Sequence, residues 1–190
     1  MSLVDIMLDQ LAAARRIVED GTEVVPGWHI TTPEGSYLIL TPFDHNKPGQ
    51  RERALFLISR FMAWRMATSF VLTAETWLGS AVTRSGDEAL LVVGISYHER
   101  LAAMQRFRRA PVVTFAPVAW LTNEQVEEAY FKLLPTGRSE VPAEEAAELT
   151  IIFGKDGEMQ AERLRAPQTR VASREAPSSL DTGGVEGTPR

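Results

Sequence analysis

The sequence contains no cysteine. That excludes a disulfide framework, a thiolate zinc site, an iron–sulfur cluster and cysteine nucleophile chemistry. Long apolar runs are also missing. Arg65, Glu75 and Arg84 interrupt the most hydrophobic region, so no stretch approaches the roughly 18–20 residues that a membrane-spanning helix needs. The opening MSLVDIMLDQ carries acids where a signal peptide carries bases, and no small-residue cleavage site follows. The expected location is therefore cytoplasmic, with no membrane partner. No G-x-G-x-x-G occurs, and Gly154-Lys155-Asp156-Gly157 is too short for a phosphate loop, which excludes phosphate-loop NTPases and dinucleotide enzymes. No internal repeat is present.

What is there suits an ordinary globular chain: 190 residues, 44% hydrophobic, 24% charged, with a formal net charge of −5. The composition predicts a single α+β domain over residues 1–165. From Ala166 onward there is no aromatic residue, and Ala, Pro, Ser, Thr, Gly, Arg and Glu predominate. Such a segment cannot bury enough surface to offset its ordering entropy, so 166–190 is expected to be a disordered tail.

Charge is distributed in blocks. Residues 1–45 hold two bases, Arg15 and Arg16, against seven acids; residues 46–109 hold ten bases against five acids; residues 110–190 hold eight against thirteen. The central block has nine arginines and one lysine, Lys47. Arginine suits bidentate recognition of carboxylate or phosphate. Arg60, Arg65, Arg100, Arg106 and Arg108 are thus the candidates for an anion-binding face within the 51–109 block. The plainer reading pairs these cations with acids from the flanking blocks. A whole-domain basic excess is missing, so nucleic acid is not the expected partner.

Residues 2–20 predict an amphipathic helix. Ser2 and Asp5 form a capping box, Gly21 supplies the stop, and Leu3, Met7, Leu11, Ala14 and Val18 form one apolar stripe. Such a helix must dock on the body or on a partner. Residues 27–31 and 36–41 predict a hairpin turning at Thr32-Pro33-Glu34-Gly35. Tyr37 to Leu40 is a continuous apolar run, as expected of a strand covered on both faces. After a Pro- and Gly-containing loop, residues 50–66 predict a long central helix across a sheet, with Leu57, Ile58, Phe61, Met62 and Trp64 inward.

Residues 69–78 and 89–96 predict an antiparallel hairpin, in which Gly94 marks a bulge or a close approach by a neighbouring backbone. Residues 100–108 have a helix-favouring composition, but their position between β-like runs favours a strand with Leu101, Ala103 and Phe107 inward. Pro111 and Pro117 confine the strand at 112–115 to an edge. Residues 123–134 predict a helix capped by Thr122 and Gln125, with Val126, Tyr130 and Leu133 inward. A short helix over 142–149 follows. Thr150–Phe153 and Met159–Leu164 then flank an Asp156-Gly157 hairpin turn. The expected fold is a two-layer α+β domain: an antiparallel sheet with the 50–66 helix across one face and the 2–20 and 123–134 helices packed around it.

No chemical motif is complete. His98-Glu99 opens like a zincin motif, but Ala102 stands where the second histidine belongs. Gly94-Ile95-Ser96-Tyr97-His98 begins like a nucleophile elbow and ends on His instead of Gly. His29 and His45 flank a predicted hairpin. Asp44 and His45 with Glu75 or His98 would make a His/carboxylate constellation suited to a small hydrolase-like or metal-dependent enzyme, although no spacing demands a metal. Glu75, in a covered strand, needs an arginine or a raised pKa; Arg60 or Arg65 on the 50–66 helix is the expected partner. Arg100, Arg106, Arg108 and Arg109 around Phe107 only faintly imitate a base-stacking strand. The leading expectation is a non-enzymatic accessory or protein-interaction domain. It would use no cofactor and would act on a protein partner, or form a homo-oligomer, through its N-terminal helix, sheet edge or tail.

Overall fold

A computed structural model describes residues 2–41, 49–80, 85–126, 130, 132–135 and 141–153. The chain runs α1 (Leu3–Glu19), β1 (Gly27–Thr32), β2 (Gly35–Leu40), α2 (Gln50–Trp64), β3 (Ser69–Ser80), β4 (Ser85–Ser96), β5 (Arg100–Arg108), β6 (Thr114–Phe115) and β7 (Ala119–Leu121). A 3₁₀ turn at Asn123–Gln125 and α3 (Ala143–Phe153) complete the described elements. All strand pairs are antiparallel. The seven-stranded sheet has the order β2-β1-β3-β4-β5-β6, and β7 lies beside β5 on the same edge as β6.

Alternation along the central strands explains why helices lie on both faces, rather than on the single face of a two-layer fold. Phe70, Leu72, Val93 and Ile95 join α2 and α3 in one core. Val71, Leu90 and Val92, one residue out of phase, join α1 in a second. A strand apolar at every position needs cover on two sides. Each fully buried Leu, Ile or Phe contributes about 1.5–3 kcal/mol relative to exposure.

The Ser2–Asp5 capping box is present: Ser2 N–H donates to Asp5 Oδ2 at 2.8 Å and Asp5 N–H to Ser2 Oγ at 3.2 Å. The buried stripe on α1 is Leu3, Met7, Leu11, Ala14 and Val18. The helix is seated on its own sheet, so its apolar face is not free for a partner. At Gly94 the strand pairs regularly with Val71 and Leu101 and carries no bulge. A Cβ there would stand 2.6 Å from Met7 Sδ and 3.1 Å from Leu3 Cγ, so the close approach is made by α1 side chains and not by a backbone.

On the other face, α2 runs for 15 residues, against 17 for α1, and buries Leu57, Ile58, Phe61 and Met62. Trp28 Nε1–H donates to the buried Thr41 Oγ1 at 2.8 Å, and its ring lies 5.6 Å from Phe70. Three expectations are corrected here. Residues 150–153 continue α3 instead of starting a strand, because helical spacing buries both Leu149 and Phe153. Residues 123–125 of the helix expected over 123–134 form a 3₁₀ turn, with Thr122 N–H donating to Gln125 Oε1 at 2.9 Å; Val126 and Leu133 are buried as expected, and 127–129 and 131 lie outside the described residues. Strand β2 is an edge strand whose Leu38 and Leu40 are exposed, so it is covered on one face only. The loop at 42–48, the hairpin at 154–164 and the tail at 166–190 lie outside the described residues.

Candidate functional site

Of the four catalytic candidates, the described residues include Glu75 and His98, and these two do not converge. Asp44 and His45 lie outside the described residues. His98 is exposed in the turn after β4, where its N–H donates to Ser96 Oγ at 3.2 Å. Ser96 pairs with Ser69, whereas Glu75 lies six residues further along β3. At about 3.3 Å per residue, His98 and Glu75 are separated by roughly 20 Å. Among the described residues, no group of three or more His, Asp and Glu residues is placed to hold a metal ion.

Glu75 has a buried side chain, and its partner is neither Arg60 nor Arg65. Arg109 Nη2 lies 2.8 Å from Glu75 Oε2, and Val24 N–H donates to the same oxygen at 3.1 Å. Arg109 also donates from Nε to Glu88 Oε1 at 3.3 Å and from Nη1 to Thr22 O at 3.3 Å. Burial disfavours the Arg109 cation, but hydrogen bonds and attraction to Glu75 and Glu88 outweigh it and raise the pKa. The correction follows from strand alternation. Glu75 pairs laterally with Leu90, which faces α1, whereas Arg60 and Arg65 belong to the α2 layer.

The anion-site arginines are largely engaged with the protein's own acids. Arg60 donates from Nε and Nη2 to the Glu145 carboxylate on α3. Arg65 donates to Glu34 at 3.1 Å and stacks 3.9 Å over Trp64. Arg106 lies 3.6 Å from Asp87. Arg100 and Arg108 are exposed and stand at opposite ends of β5. The five form no common cavity-facing cluster: Arg60 and Arg65 ride on α2 and its end, and the other three are strung along one strand.

A different feature stands out at the β1–β2 end of the sheet. Helix α1 lies over β3 and β4, with Arg15 4.8 Å above the Phe115 ring on one flank. Helical spacing places Ile6, Gln10, Ala13 and Ile17 on the opposite flank, which faces β1 and β2. The floor there carries Leu38 and Leu40, 50% and 46% exposed, with Ile17 at 38% and Val25 at 39%. Gly27 lies beneath the two leucines, its Cβ position 3.4 Å from Leu40 Cδ2 and 3.9 Å from Leu38 Cδ1.

Backbone polarity adds to this. Thr41 N–H donates to Pro26 O at 2.9 Å, which fixes the phase of the β1–β2 ladder. Trp28–Ile39 and Ile30–Tyr37 are then the mutually bonded pairs, and Ser36, Leu38 and Leu40 turn their N–H and C=O groups outward from the sheet edge. His29, paired with Leu38 and Val71, lies on the same floor, and partial burial lowers its pKa from the ordinary 6.5.

Sequence reasoning missed this trough because it took the Tyr37–Leu40 run for an interior strand. The available signal was the short two-residue connection to β1, which leaves β2 with one assured neighbour. No family model matches the chain, and comparisons with curated proteins and with solved structures likewise find no match.

Proposed function

We propose that this protein is a non-catalytic binding module that captures a protein partner on the β1–β2 end of its sheet. The observation that carries the reading is the exposed Leu38–Leu40 floor beside α1, on a chain whose two cores elsewhere cover both sheet faces. Two half-exposed leucines on an edge strand with outward-turned amides form a surface that monomeric proteins normally blunt with charge, proline or a bulge. Strand β2, Gly-Ser-Tyr-Leu-Ile-Leu, has none of these. The dispersal of His98 and Glu75 and the pairing of the arginines favour binding over acid–base chemistry.

Site-specific photocrosslinking in the native cell tests the reading. A photoreactive residue at position 38 is expected to yield discrete adducts with one or a few proteins, and the same residue at exposed position 108 none. Equal adducts at both positions, or none at 38, would overturn it.

A further inference from the structure

The dimensions and charge of the trough define its occupant. We infer that it takes a basic amphipathic α-helix of about three to four turns, laid beside α1; the inference rests on the binding reading above. The floor is two strands wide, about 10 Å at 4.8 Å per strand, which matches the diameter of one helix. The six residues of β2 span about 20 Å, the length of roughly 13 helical residues.

A helix placed there would cover Leu38 and Leu40 and give α1 a neighbour at ordinary packing distance, with apolar residues at i, i+3, i+4 and i+7 pointing down. The sign of its charge follows from the shoulder. Asp9 and Asp20 flank Ala13 and Ile17 on α1, and Glu23 closes the end beside Val25; all three are exposed. None of them has an ion-pair partner among the described residues. Among the described residues, the two cations of α1 are turned elsewhere, Arg15 onto Phe115 and Arg16 onto Ala12 O. Lysine or arginine on the helix's upper flank would meet this acidic shoulder.

A second copy of the chain is a poor occupant. Its arginine-bearing amphipathic helix, α2, already has Ala54, Leu57, Ile58, Phe61 and Met62 buried in its own core.

The experiment uses the full chain and synthetic 14-residue leucine/lysine peptides, read by fluorescence anisotropy. The peptide with leucine at helical period is expected to bind saturably. Leu38→Ser/Leu40→Ser should weaken it at least tenfold, and Asp20→Asn/Glu23→Gln several-fold, more at low salt than at high. The leucine/glutamate peptide of the same period should not bind.

Four results would overturn the helix: absence of saturable binding, indifference to the Leu38/Leu40 variant, preference for a leucine/lysine peptide alternating at period two, or self-association of the chain abolished by the same variant. Crosslinks at position 38 together with silent peptides would leave the binding reading standing and remove only the helix. Failure of both would remove both.

Discussion

Arg109 ties the end of β5 to the middle of β3, its Nη2 lying 2.8 Å from Glu75 Oε2 across the width of β4. Because Glu75 Oε2 also accepts from Val24 N–H, one carboxylate holds both the last long strand and the segment leaving α1. Removing Glu75 takes away the shorter of Arg109's two carboxylate contacts and the acceptor of Val24 N–H, leaving Glu88 at 3.3 Å as the remaining counter-charge. Glu75→Ala is expected to cost about 2–3 kcal/mol in denaturant unfolding, toward the low end because Arg109 keeps some solvent contact. Glu75→Leu/Arg109→Met should cost less than the sum of its single variants. Additive losses would show that the pair is not coupled.

The Arg60–Glu145 pair joins α2 to α3 and gives an acid-side prediction. Hydrogen bonds from Arg60 hold the Glu145 carboxyl below its ordinary 4.5. A carboxyl lowered by folding contributes stability that is complete above its unfolded pKa and is lost as pH falls through the folded one. Thermal unfolding of the wild type should therefore decline more steeply from about pH 5 to pH 3 than that of Glu145→Gln. Parallel profiles would remove the pair from the account.

His29 acts at a higher pH with its own sign. Burial lowers its pKa from 6.5, so the folded state favours the neutral ring. Stability is then complete above 6.5 and declines as the ring is forced to charge below it. His29→Gln should flatten the change in Tm between about pH 7.5 and pH 5. A slope unchanged by that substitution would place the titration elsewhere.

Thr73 Oγ1 is buried with no hydrogen-bond partner. Thr73→Val keeps the shape, removes the unpaired hydroxyl and suits a strand, so it should stabilise by about 1 kcal/mol in urea unfolding. A loss of similar size would mean that the hydroxyl is satisfied in solution.

Gly94→Val fills the space occupied by Met7 and Leu3 and should cost about 1–3 kcal/mol through displacement of α1. The companion Met7→Ala should recover part of that loss. If it does not, α1 does not press on this position.

Much of the fold was legible because local patterns and burial agreed. The α1 stripe, the Ser2–Asp5 box and the two hairpins follow from periodicity and turn chemistry alone. Residues 100–108 became a strand against their composition because β4 supplies a ladder on one side and β6 and β7 supply it on the other. Residues 150–153 went the opposite way: a β-branched run was absorbed by a helix whose i and i+4 positions found the core. The layer count failed for a tertiary reason, since only the register shows that neighbouring apolar residues on β3 face different helices. The trough was invisible for the same reason. Whether Leu38 is interior or open depends on β2 lying at the end of the sheet order, and nothing within its six residues states that.

That sheet order also sets a timetable. Strands β3, β4 and β5 are consecutive hairpin neighbours, whereas β1 reaches β3 only after the chain has passed through β2 and α2. Local pairings close quickly and distant ones slowly, and a lone two-stranded ribbon is barely stable in water. During synthesis α1 and the first hairpin leave the ribosome before the strands they must join. The β1–β2 hairpin, which bears Leu38 and Leu40, can therefore join the sheet only once β3 has been made.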